Sequence, residues 1–287
     1  MSSGEREAPR RVRRPMLRRA TALLRAAHPE PSAAVTLAAT ALAVGAGLGS
    51  RAVLVAVAVG TGQLSIGWSN DWLDRDRDRA GGRVDKPVAR GDVGAGTVLA
   101  AAVIALTVCV VASLALGPAA AAAHLVGVAA GWLYNAVAKR TAFSIVPWMV
   151  AFGLLPAVVT LTRPLERWPA WWIVAAGAVL GGGAHLANAI PDLAQDRASG
   201  VEGLPHRLGR RRASWLATTL VAVGIALVAT GVPLWPAGLA IGGAGSLGLA
   251  WVVVATARGR ERAAFRGVVA LLLLLALGVV LSGARIT

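Results

Sequence analysis

Residues 52–87 read AVLVAVAVGTGQLSIGWSNDWLDRDRDRAGGRVDKP. The apolar run 52–69 passes without a proline into 70–87, a segment with five acids and five bases. An α-helix crossing a hydrocarbon slab of roughly 30 Å needs an apolar stretch of about this length. The charged part then predicts the end of that helix emerging at the membrane face. On a helix advancing roughly 100° per residue, Asp74 and Asp78 fall within about 60° of Asp71, with Asn70 at the edge of the same face. Asp76 points roughly 140° away and pairs with a neighbouring arginine in this reading. The pattern N-D-x-x-D-x-x-x-D thus builds a row of carboxylates where the helix meets water.

The same grammar recurs along the chain. Of 287 residues, 56% are hydrophobic and only 15% charged, where a soluble domain carries about a quarter; mean hydropathy is +0.64. Apolar runs occur at about 32–50, 52–69, 94–116, 118–137, 144–161, 169–190, 213–232, 236–256 and 263–283. They are too long and continuous for barrel strands, so the expected fold is all-α, a polytopic membrane bundle of nine transmembrane helices. Frequent Gly and Ala in the spans fit close helix packing. Residues 1–31 are expected to form a basic cytoplasmic tail or interfacial segment, with a helix around Arg10 to Ala27, and 32–287 the membrane domain. The lone Cys109 rules out a disulfide framework or a cysteine metal site.

A formal charge of +15 invites a nucleic-acid reading. With nine alternating spans, however, all lysines and arginines except Arg51, Arg163, Arg167 and Arg285 fall on one side. Topology and anionic headgroups account for that bias, leaving no role for nucleic acid. It places the N-terminus and the charged loops in the cytoplasm.

All eight aspartates lie in the connections after the second and sixth runs. The later connection, HLANAIPDLAQDRASG (185–200), sets Asn188, Asp192 and Asp196 within about 80° on a helix. Solvated Asp–Arg pairs account for Asp76 and Asp92. They do not account for two rows, each led by an asparagine and stepping by four. Two such rows on one membrane face repel unless divalent cations join them; Mg²⁺ takes hard oxygen ligands and is commonly shared with substrate phosphates. The only two lysines, Lys86 and Lys139, sit beside the rows with Arg83, as a diphosphate site requires.

These motifs resemble the UbiA superfamily of intramembrane prenyltransferases: NDWLDRDRD, GRVDKPVARG, LYNAVAKR and NAIPDLAQDRASGVEGLPHRLG. The resemblance implies nine helices around a central cavity and two Mg²⁺ ions bridging a prenyl diphosphate, whose prenyl group passes to an aromatic or other lipophilic acceptor. Carried over by position, Asp71, Asp74, Asp78, Asp192 and Asp196 would be catalytic metal ligands. Asn70, Arg83, Lys86, Tyr134, Lys139 and Asn188 would bind substrate. The spacing from Tyr134 to Lys139 is one residue longer than is common in the family. Trp132 and Trp148 lie at a depth where an aromatic face can steady a cation, and His185 can reach an acceptor. His206 is expected in a loop without a role. A terpene cyclase with the same ionisation is the alternative, and a transporter a remoter one. The expected setting is a bacterial cell membrane, with no obligate protein partner.

Overall fold

The computed structural model describes residues 13–198, 200–233 and 235–287. It is all-helical over them: α1 (Arg13–Ala26), α2 (Pro29–Gly45), α3 (Arg51–Ala80), α4 (Ala95–Leu116), α5 (Pro118–Ala136), α6 (Val146–Thr160), α7 (Trp171–Ala189), α8 (Leu193–Ala198), α9 (Leu204–Gly231), α10 (Trp235–Ala257) and α11 (Glu261–Leu281). Each predicted apolar run coincides with one long helix. Among the described residues, though, only six helical stretches are long and apolar enough to cross a membrane: those of α3, α4, α7 with α8, α9, α10 and α11. Six of the nine expected spans thus have the length and composition of a crossing helix. The other three are shorter: at 1.5 Å per residue the 17 residues of α2, the 19 of α5 and the 15 of α6 reach only about 22–29 Å, against a slab of roughly 30 Å.

The long helices close a ring. Helix α2 packs on α3, α3 on α5, and the sequence α5, α6, α7, α9, α10, α11 returns to α2, with α4 outside α3 and α5. Small residues allow the closest approaches. A Cβ at Gly177 would lie 2.5 Å from the Phe152 carbonyl oxygen, and one at Gly181 2.7 Å from that of Trp148. Glycine there lets the α6 and α7 backbones nearly touch, as packing between helices in lipid favours. Large apolar side chains such as Ile104, Val111, Leu247 and Leu281 stay exposed around the outside, as a lipid-facing belt does.

Residues 1–12 of the expected basic segment lie outside the described residues; the remainder forms α1 and the start of α2. The corner between them is fixed to α3. The Trp68 indole N–H donates to the Leu23 carbonyl at 2.8 Å, and His28 turns the chain in the left-handed region at φ 51°. A Cβ at Gly67 would sit 2.4 Å from the Ala27 carbonyl oxygen. Gly67→Ala is therefore expected to push this corner off α3 and destabilise the fold by about 1–3 kcal/mol. Thermal unfolding in detergent reads the effect, and an unchanged Tm would contradict the docking.

Candidate active site

Thirty residues make α3 the longest helix, about 45 Å, so its last turns run past the apolar part of the bundle. Asp71, Asp74 and Asp78 share the predicted face and are all buried. Buried carboxylates need compensation, and each finds it. Lys86 Nζ donates to Asp71 Oδ1 at 2.7 Å and to Asn70 Oδ1 at 3.3 Å, and lies 3.1 Å from His28 Nε2. Asp71 and Asn70 each take one N–H bond of the ammonium, and His28 Nε2 also lies 3.3 Å from Asp71 Oδ1. Asp74 accepts from Lys139 in a short ion pair and pairs with Arg77 at 2.7 Å. Asp78 lies 3.5 Å from Arg77. Asp76 is exposed and pairs with Arg75, as the helical spacing predicts.

Lys139 arrives on a short 3-10 turn, Ala138–Arg140, directly after α5. Burial pushes its ammonium below the usual lysine value, with Asp74 pulling the other way. Asn135, one turn earlier, donates to the Ile66 carbonyl and to Ser69 Oγ, both at 2.8 Å, while its Oδ1 accepts from Asn70 at 3.2 Å. The amide thus locks α5 to α3 beside the carboxylates.

The second row sits where α7 breaks. Helix α7 ends at Ala189, Pro191 sits in a 3-10 turn (Ile190–Asp192), and α8 carries Asp196. A proline lacks the N–H needed to continue the α-helical ladder, which fits the switch to a 3-10 turn here. Arg83 spans the two regions: its guanidinium forms two 2.9 Å hydrogen bonds to Asp85 and approaches Asp192 at 3.4 Å and Asp196 at 3.8 Å. The hydrogen bond from Arg83 holds the Asp85 carboxyl down at about 2, and raises the arginine in turn.

Ten of the eleven expected side chains line one cavity of about 440 Å³: Asn70, Asp74, Asp78, Arg83, Lys86, Tyr134, Lys139, Asn188, Asp192 and Asp196. Asp71 is the exception. It lies behind Lys86, with its Oδ2 lacking a hydrogen-bond partner. Among the described residues no three His, Cys, Asp or Glu side chains are gathered into a protein-only metal cage. Four of the five aspartates line the one cavity, where Arg77, Lys139 and Arg83 pair with them, while Asp71 pairs with Lys86. Carboxylates on two sides of one cavity nonetheless fit Mg²⁺ held by one or two acids and completed by phosphate oxygens.

Sequence reasoning missed His28, Arg77 and Asn135, all of which line the cavity. Asn135 adjoins Tyr134 in LYNAVAKR, so that motif carried a signal; His28 had none. His206 is not in a loop. It is buried in the first turn of α9 and lines the cavity, 3.6 Å from Asp196. Of the two tryptophans, Trp148 lines the cavity, while Trp132 donates to Ser65 Oγ at 3.3 Å. Tyr134 meets Trp148 and His185 edge-on at centroid distances of 5.9 and 5.4 Å. Trp148 and Phe152 also border a smaller chamber of about 100 Å³ whose walls are apolar, including Leu42, Ile173 and Leu180.

The sequence matches the profile of the UbiA prenyltransferase family over residues 32–278. No curated protein matches it. Among solved structures, the chain is similar to a UbiA homologue from Archaeoglobus fulgidus bound to GPP and Mg²⁺, with 17% identity, TM-score 0.68, and 90% of this chain and 99% of that one covered. A UbiA homologue from Aeropyrum pernix K1 gives 19% identity and TM-score 0.73 over 86% and 97% of the two chains. A digeranylgeranylglyceryl phosphate synthase gives 14% and 0.66 over 92% and 98%.

Proposed function

Since the chain belongs to the UbiA prenyltransferase family, we propose that it is a Mg²⁺-dependent membrane prenyltransferase that ionises a prenyl diphosphate and transfers the prenyl group to a lipophilic acceptor. One observation carries this reading. Two acidic rows more than a hundred residues apart line the same cavity, and that cavity borders an apolar chamber. GPP and Mg²⁺ bound to the Archaeoglobus homologue support the substrate class. The charge bias of the loops supports a cytoplasmic active-site face.

Asp74 and Asp78 on one side, and Asp192 and Asp196 on the other, would hold Mg²⁺ shared with the diphosphate. When bound, these ions act as Lewis acids for the leaving group. Arg77, Arg83 and Lys139 take up charge as the diphosphate departs. Lys86, which already donates to Asp71 and Asn70, holds both in place. The prenyl chain lies toward the apolar chamber, its C1 near Tyr134, Trp148 and Phe152. These rings keep water away and present π-faces to the allylic cation. The C1–O bond breaks with its electron pair on diphosphate. A nucleophilic carbon or oxygen of the acceptor bonds to C1, and a proton leaves the acceptor.

Chelating Mg²⁺ with EDTA is expected to stop diphosphate release from GPP by the purified chain, and added Mg²⁺ to restore it. Equal release with and without EDTA refutes the reading. A hydrocarbon formed without any acceptor points to the cyclase alternative.

A further inference from the structure

His185 sits on α7 one turn before Asn188 and about 10 Å along the helix from Asp192, so it lies on the inner side of the ionic zone. Its side chain is buried and lines the large cavity. It touches the rings of Tyr134 and Trp148, and Trp148 also borders the apolar chamber. That is the junction at which the prenyl C1 and the incoming acceptor meet in the proposed reaction. A polar ring at this junction needs an explanation, because burying an unpaired polar group is costly.

The hydrogen bonds around it give a basis for assigning the ring proton. The Leu204 N–H donates to Ser144 Oγ at 2.9 Å. Ser144 Oγ lies 3.0 Å from His185 Nε2, and Ser144 is fully buried. No further partner of that hydroxyl is present among the described residues, so its own hydrogen is satisfied only by donating to Nε2. On that assignment Nε2 is the lone-pair nitrogen, and the neutral ring carries its hydrogen on Nδ1. Nδ1 has no hydrogen-bond partner in the structure. The chain Leu204 N–H, Ser144 O–H, His185 Nε2 thus leaves one buried donor unmatched beside the reacting centre.

We infer that His185, held as its Nδ1–H tautomer by Ser144 at the junction of the two cavities, is a positioning residue that donates a hydrogen bond to an oxygen of the prenyl acceptor. This rests on the transferase reading and narrows it. The acceptor carries a hydroxyl, carbonyl or carboxylate oxygen near its nucleophilic atom, and His185 orients that atom toward C1. The Nδ1 side offers a hydrogen and no lone pair, so the ring aligns the acceptor and does not deprotonate it.

Two measurements test this. The first uses the chain labelled with ¹⁵N-histidine, which has four histidines in all; the signal lost in His185→Phe identifies His185. The expected spectrum is that of a neutral ring protonated at Nδ1, with Ser144→Ala shifting it toward a mixture of tautomers. A ring protonated at Nε2 in the unsubstituted chain overturns the inference and leaves the transferase reading standing. The second follows product formation from GPP and Mg²⁺ with 4-hydroxybenzoate, hexadecanol or glycerol 1-phosphate as oxygen-bearing acceptor probes. With the probe used best, His185→Phe is expected to raise the acceptor KM about tenfold while changing the GPP KM far less. His185→Asn, which restores a donor near the Nδ1 position, should recover part of the loss. Equal rises in both KM values, or no recovery with asparagine, overturn the inference. Absence of diphosphate release by the unsubstituted chain, or a hydrocarbon product with every probe ignored, overturns the transferase reading beneath it.

Discussion

Asp192→Asn is expected to lower Mg²⁺-dependent diphosphate release by about 10²- to 10³-fold in kcat/KM while scarcely changing Tm. The two halves of that expectation come from different features. Losing a preorganised group that stabilises developing charge commonly costs about 10²- to 10³-fold, and an amide is a far poorer ligand for Mg²⁺ than a carboxylate. Stability is spared because Asp192 is not deeply committed to the fold. Its side chain is 30% exposed, and its cationic neighbours are distant, Arg83 at 3.4 Å and Arg262 at 3.9 Å. Arg83 keeps both of its short hydrogen bonds to Asp85 when Asp192 loses its charge, so no buried cation is orphaned. Exposed ion pairs of this geometry contribute about 0–1 kcal/mol. A variant that retains near-normal release, or one that unfolds well below the parent, removes Asp192 from the proposed metal–diphosphate site.

The α3 row was legible because one helical period explains it. Asp71, Asp74 and Asp78 fall on one face by spacing alone, and all three are buried where Asp76 is not. The spacing could not say what each carboxylate faces. Asp71 looks equivalent to Asp74 on a wheel, yet it is turned toward Lys86 and His28 behind the cavity wall. That outcome depends on the α1–α2 corner packing on Gly67, a tertiary approach with no periodic signature. The second row was legible for a partly different reason. The wheel from Asn188 to Asp196 assumed one helix, while Pro191 breaks it, and the residues still line one cavity because the break is short. Span count was less legible, because a run measures apolar composition and not helix length. The run at 144–161 begins in the turn carrying Ser144 and Ile145, which leaves α6 too short to cross the slab.

Lys139→Met should produce the largest loss of stability, about 3–5 kcal/mol, together with loss of activity. Lys139 and Asp74 form a buried ion pair, each side chain about 5% exposed or less. Removing one member of such a pair leaves the other charge uncompensated, which costs about 3–5 kcal/mol. Arg77 also pairs with Asp74 at 2.7 Å, so the loss falls toward the lower end of that range. The partner substitution separates charge from packing. In Lys139→Met with Asp74→Asn the stranded carboxylate is gone and Arg77 still has Asp78 at 3.5 Å, so the double variant is expected to be more stable than Lys139→Met alone. Its activity should not return, because the proposed mechanism needs both the carboxylate and the cation at the diphosphate. Tm in detergent and diphosphate release from GPP give the two readings. If the double variant is the least stable of the set, the pair is held by something other than mutual charge compensation. If it regains activity, neither side chain belongs to the reacting site.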